Sequence, residues 1–172
     1  MKVHFKIERG LYDVIHEDLA RPHQFAAERM GFIVCKPSMA GNSTLILAQS
    51  YLVTPDDWYI PDERFGCVFN SDAMRAAMQT ALSQKSSIFH VHLHDHYGEP
   101  WFSRADLRES REFVPNFWNV QPNYPHGTAV LSHDEMAGLC WYPGQEAPQI
   151  IQKFSVVGSP LKITQEATWR AF

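Results

Sequence analysis

Residues 88–106 read IFHVHLHDHYGEPWFSRAD, and within them a strand ends, the chain turns and a helix begins. Histidines stand at every second position, 90, 92, 94 and 96, and Ser103 precedes Asp106 by three residues. Alternate residues of an extended strand point to the same side, so residues 88–94 read as a strand carrying its imidazoles in one row. A Ser side chain caps backbone N–H groups and an acid in the first turn suits the helix dipole, so Ser103 opens a helix expected to run to about Phe113.

Upstream, Met74, Ala77, Met78 and Leu82 form an apolar stripe at helical spacing, with Ser71 or Asp72 as its cap and an end near residues 85–87. Residues 67–69 read as a brief strand, and residues 54–64, with two prolines among several acids, as a surface connection. Residues 31–35 and 44–53 are apolar runs flanking a Pro-, Gly-, Asn- and Ser-bearing stretch, which predicts a hairpin with a long loop. Leu11, Val14, Ile15 and Leu19 predict a helical region over residues 11–28 that Pro22 breaks or restarts.

Downstream, a Pro- and Asn-rich loop (115–125) leads to apolar residues 128–131 and 138–142, which flank Ser132-His133-Asp134-Glu135 as a second hairpin. Residues 150–157 make the last clear strand, and residues 165–172 receive no assignment. Helices interspersed with a mostly hairpin-built sheet predict a mixed α/β fold in one domain over residues 1–172.

The bulk composition narrows the function classes. At 172 residues and 45% hydrophobic content, the chain can close one core without staples. A formal charge of -4 without a basic run argues against a nucleic-acid partner. Cys35, Cys67 and Cys140 are odd in number and form no Cys-x-x-Cys pair, so a disulfide framework or thiolate zinc site is not expected. The first residues lack the apolar stretch of a signal peptide and no 18 apolar residues run together, so no membrane is expected and a cytoplasmic location is.

Two imidazoles on one strand face can meet a single metal ion. Either His90 with His92, or His92 with His94, supplies the pair, and Asp106 at the next helix start is the natural third ligand. Ser103 caps that helix and its hydroxyl can also donate to an oxyanion beside the metal. Glu28 precedes the apolar run 31–35, which puts a carboxylate at the entrance of the sheet, where a general base would act. Trp101 and Phe102, with Tyr97 and Trp118, are candidates to line a substrate groove, although aromatics more often serve a core.

Taken together, Glu28-Arg29-Met30-Gly31-Phe32-Ile33, His92-x-His94 and Ser103-x-x-Asp106 resemble the JAMM signature of the JAB/MPN zinc metallopeptidases. The Gly98-Glu99-Pro100-Trp101-Phe102-Ser103 segment is similar to that of the bacterial branch associated with ubiquitin-like conjugation systems. The distance from His94 to Ser103 also matches that branch and selects His92 and His94 over His90. The likeness extends to residues 129–134 and 141–144, and so covers roughly residues 11–157. One difference is Asp95, where the family commonly has proline; Asp also adopts turns.

The resemblance implies a cytidine-deaminase-like JAB/MPN fold, Zn2+ on His92, His94 and Asp106, Glu28 as acid/base, and Ser103 helping to stabilise the tetrahedral intermediate. It implies an isopeptidase or peptidase acting on a ubiquitin-like protein, its conjugates or precursors. Activating and conjugating enzymes of the same system would be partners, in a setting of antiviral defence. Two other readings use the same residues: a catalytically silent MPN-type scaffold, and a metal-dependent hydrolase of a small amide.

Overall fold

The computed structural model describes residues 2–24, 26–62 and 66–165. Its elements in chain order are β1 (Lys2–Glu8), α1 (Arg9–Leu19), β2 (Met30–Ala40), β3 (Ser43–Val53), α2 (Ser71–Gln84), β4 (Ser87–Leu93), α3 (Arg104–Phe113), β5 (His126–Leu131), β6 (Met136–Trp141), β7 (Gln149–Val157) and β8 (Lys162–Gln165). Neighbouring strands run in the order β1-β3-β2-β4-β5-β6-β7, and β7 pairs again with β1. That second pairing closes a barrel of seven strands, and β8 pairs antiparallel with β7 beyond the stretch of β7 that pairs β6.

This corrects the fold expected from the sequence. The chain does not form an α/β, cytidine-deaminase-like JAB/MPN sheet flanked by helices; it forms a closed mixed barrel with three short α-helices among the described residues. Nor is the sheet mostly hairpins, because β1 runs parallel to both β3 and β7, and β4 parallel to β5. Closure rests on β1, whose residues Val3, Phe5 and Ile7 alternate inward and are at most 1% exposed.

The inward residues of all seven strands join one apolar cluster, among them Phe5, Ile33, Ile46, Phe89, Val91, Ala129, Cys140 and Phe154. Helix α1 follows β1 without a break and adds Tyr12, Ile15 and Leu19 to this core. Outward-facing Met30, Phe32, Val34 and Ile88 are covered by α2, through Ala73, Ala77 and Ala81. A third cluster lies under α3 and the 3-10 segment Val114–Asn119, where Phe102, Val114 and Leu107 meet Val130, Leu139 and Trp141.

Several local expectations shift. The first helix ends at Leu19 and, among the described residues, does not restart after Pro22. Residues 36–40 extend β2 rather than form a loop, leaving a tight turn at Gly41-Asn42, with Gly41 at φ 57°. Pro37 is tolerated because β4 pairs β2 only as far as Cys35, so the amide that proline lacks faces no second strand. Residues 67–69 contribute one bridge, Tyr59 to Phe69, rather than a strand. The cap of α2 is Asn70, whose side chain accepts from the Asp72 N–H, and the α2 face that is buried is alanine, with Leu82 turned to solvent. Of the expected surface connection, residues 63–64 lie outside the described residues, as do residues 166–172 of the unassigned terminus.

The expectations nearest the histidines hold: α3 ends at Phe113, and β5 and β6 form the second hairpin. No helix among the described residues is long and apolar enough to cross a membrane.

Candidate metal centre

The outward row of β4 determines the site. Phe89, Val91 and Leu93 point into the barrel, so His90 and His92 project from its outer wall, and His94 follows where its N–H extends the ladder by donating to Leu131 O at 2.9 Å. Nε2 of His92 lies 3.1 Å from Nε2 of His94. Burial holds the pKa of both imidazoles below the usual value, so the neutral rings face each other with nitrogens that need a proton or a cation between them. Two nitrogens on one tetrahedral zinc, each at about 2.0–2.1 Å, would be separated by about 3.3 Å. The observed pair is close to that spacing.

Glu28 completes a group whose ligand atoms all lie within 4.8 Å of one another: Glu28, His92 and His94. Its Oε1 is 3.8 Å from His94 Nε2. Burial, with a smaller contribution from the Asp106 carboxylate, pushes the Glu28 carboxyl up to about 7. The chain around it is pinned from two sides. Glu28 N–H donates to Gly66 O at 3.0 Å, and the buried Arg29 guanidinium donates to Arg21 O, Pro22 O and Asp56 Oδ1. A Cβ on Gly66 would stand 3.1 Å from Glu28 Oε2, so glycine there lets the backbone come close to the carboxylate.

Ser103 and Asp106 arrive from the opposite wall. Ser103 Oγ accepts from Asp106 N–H at 3.1 Å and Asp106 Oδ2 accepts from Ser103 N–H at 2.7 Å, a reciprocal capping box. The same Oδ2 lies 3.7 Å from His92 Nε2. Asp106 is therefore beside the group, although the closest triad contains Glu28 in its place.

The other histidines separate clearly. His90 sits between Phe32, Phe69 and Phe113, with Nδ1 3.4 Å from Thr128 Oγ1, and burial holds its pKa well below the usual value. His96 turns away to Tyr97 O, and Asp95 pairs with His133 Nε2 at 2.7 Å rather than with the histidine pair. The bend survives without proline, since His96 N–H donates to His94 O at 2.8 Å.

The five residues of the expected site, Glu28, His92, His94, Ser103 and Asp106, line one cleft of about 170 Å³. Phe102 and Trp101 do not line it. Phe102 is buried against β5 and β6 with its ring 6.4 Å from that of His92, while Trp101 is 42% exposed. His90, weighed as an alternative ligand, also lines the cleft, whereas sequence reasoning missed Gly66, Cys67 and Phe69 from the connection before α2, and Glu109 and Ser110 from α3. The spacing from Asp106 places Glu109 on the same helix face, which was a usable signal; residues 66–69 offered none.

Compared with protein-family models and with curated proteins, the chain finds no match in either.

Proposed function

We propose that the chain is a zinc-dependent peptidase or isopeptidase of the JAMM type, acting on a ubiquitin-like protein as a conjugate or precursor. The observation that carries the reading is the 3.1 Å approach of His92 Nε2 to His94 Nε2, inside a cleft that also holds the carboxylates of Glu28, Asp106 and Glu109 and a helix start. His92, His94 and Asp106 would hold the metal, and bound zinc supplies Lewis acidity and a water acidic enough to ionise near neutral pH.

The protein's own residues would do the remainder. Glu28, pushed up to about 7 by burial, suits proton transfer at neutral pH in both directions, first taking a proton and then giving it to the leaving amine. Ser103 Oγ faces the same cleft, where its hydroxyl hydrogen can donate to a carbonyl oxygen that gains charge, while its lone pair caps α3. Met30, Phe69 and Phe113 line the same cleft and lower the polarity around the carboxylates.

The test is metal analysis combined with cleavage of a ubiquitin-like protein fused through its C-terminus to a reporter. About one zinc per chain, cleavage lost on chelation and restored by zinc is the expected result. A protein that takes up no zinc overturns the metallopeptidase; one that binds zinc and hydrolyses small amides but no fusion overturns the substrate.

A further inference from the structure

The loop from Asp95 to Phe102 brings Ser103 and Asp106 to the histidines, and it rests on the β5–β6 hairpin. Ser132, fully buried, donates from Oγ to Gly98 O at 2.6 Å, and Asp134 Oδ1 accepts from Gly98 N–H at 2.7 Å. Both polar groups of the Gly98 residue are thus held by two side chains of one turn. His133 grips the preceding residues: its N–H donates to His96 O at 2.9 Å and its Nε2 lies 2.7 Å from Asp95 Oδ1. Gly98 has φ 86°, a conformation that side chains oppose, so the loop makes its bend there. At its far end, Phe102 is buried on the outer wall of the same two strands.

We propose that Ser132 and Asp134 are positioning residues for the metal site, holding the loop so that Asp106 faces His92 and His94. The inference rests on the metal-site reading above. Neither residue touches the cleft; both act through Gly98 on the path of chain between His94 and Ser103. The α3 capping box can form in any loop conformation, since it lies within residues 103–106, whereas the 3.7 Å approach of Asp106 to His92 depends on where the loop delivers the helix. Outer residues that orient metal ligands typically change metal affinity by about 10- to 100-fold.

The experiment measures zinc affinity by chelator competition, and the visible spectrum of the cobalt-loaded protein, for wild type, Ser132→Ala, Asp134→Ala, Asp134→Asn and Gly98→Ala. Ser132→Ala and Asp134→Ala should weaken zinc by about 10- to 100-fold and alter the cobalt spectrum, while the metal-free melting temperature moves by only a few degrees. Asp134→Asn keeps an acceptor for the Gly98 N–H and should recover most of the affinity. Gly98→Ala introduces a Cβ with nothing within 4 Å, so it acts only on backbone conformation; it should weaken zinc too, and decides the matter if the polar variants fail to fold. Folded variants that bind zinc within about twofold of wild type overturn the positioning role. Failure of the metal-site reading is distinguishable, because wild type would then bind no zinc.

Discussion

Asp106 Oδ2 lies 3.7 Å from His92 Nε2 while accepting a hydrogen bond from the Ser103 N–H. One carboxylate oxygen thus begins a helix and faces the buried histidine of the cleft. The placement of the helix and the placement of this carboxylate are one geometric fact in this protein, and they can be separated by mutation.

Asp106→Asn keeps an oxygen for the Ser103 N–H and removes the charge. Metal-free stability should change by less than about 1 kcal/mol, the scale of one charge in a first helical turn. Zinc affinity should fall by more than about 100-fold, beyond what residues that merely support a ligand usually cost. Urea denaturation of the metal-free protein and zinc titration check the two halves. A drop under about tenfold would return the third ligand position to Glu28, which stands in the closest triad.

Glu28→Gln distinguishes base from ligand. The amide retains the shape of the side chain beside Gly66 and cannot accept and return a proton, so zinc content should be unchanged while turnover falls by about 100-fold or more. Measured kcat alongside elemental analysis decides it: an active variant removes the acid/base role, and a metal-free one makes Glu28 a ligand.

Phe5→Ala tests the closed barrel. Phe5 is fully buried, with ring centroids 5.4 Å from both Phe89 and Phe154, so it ties β1 to strands on the opposite wall and beside it. Truncation should cost about 3–5 kcal/mol in urea unfolding, as for other fully buried phenylalanines. An open sheet with a dispensable first strand would tolerate the change with a loss below about 1 kcal/mol.

The same strand explains what could and could not be read in advance. Val3, Phe5 and Ile7 alternate with polar residues, a strand pattern that goes unassigned from sequence alone, and nothing in the pattern names its partners. The pairing of Phe5 with Ile46 and with Phe154 is parallel and joins the two ends of the chain, and side-chain period carries no record of such contacts. Residues 36–40 misled for a different reason: Pro37 and Ser38 are loop formers that a half-paired strand tolerates. The site was more legible because its signals are local. His94 stands two positions after His92 and Asp106 three after Ser103, and each offset is a local signal of strand alternation or helix capping. Gly66 was invisible, since its role comes from a contact with Glu28 across a stretch of irregular backbone.

His126 should set a pH limit on stability remote from the cleft. It is fully buried; Ile88 N–H donates to Nδ1 at 3.0 Å, Nε2 lies 3.3 Å from Gln121 O, and the ring stacks on Phe117. Those partners demand a neutral ring protonated at Nε2, because a proton on Nδ1 would oppose the Ile88 N–H. Burial accordingly lowers its pKa from 6.5 to about 4, against a smaller opposing contribution from the Gln121 carbonyl. Above pH 6.5 neither the folded nor the unfolded chain carries the charge, and the full stability is present. Between pH 6.5 and about 4 the unfolded chain takes up a proton that the folded one refuses, so stability is lost as pH falls, by about 3 kcal/mol over the window. Asn at this position presents an acceptor near that of Nδ1 and does not titrate, so metal-free His126→Asn should lose less stability than wild type between pH 7 and 4. Equal losses in the two proteins, measured by urea unfolding across that range, would show that His126 does not carry the effect.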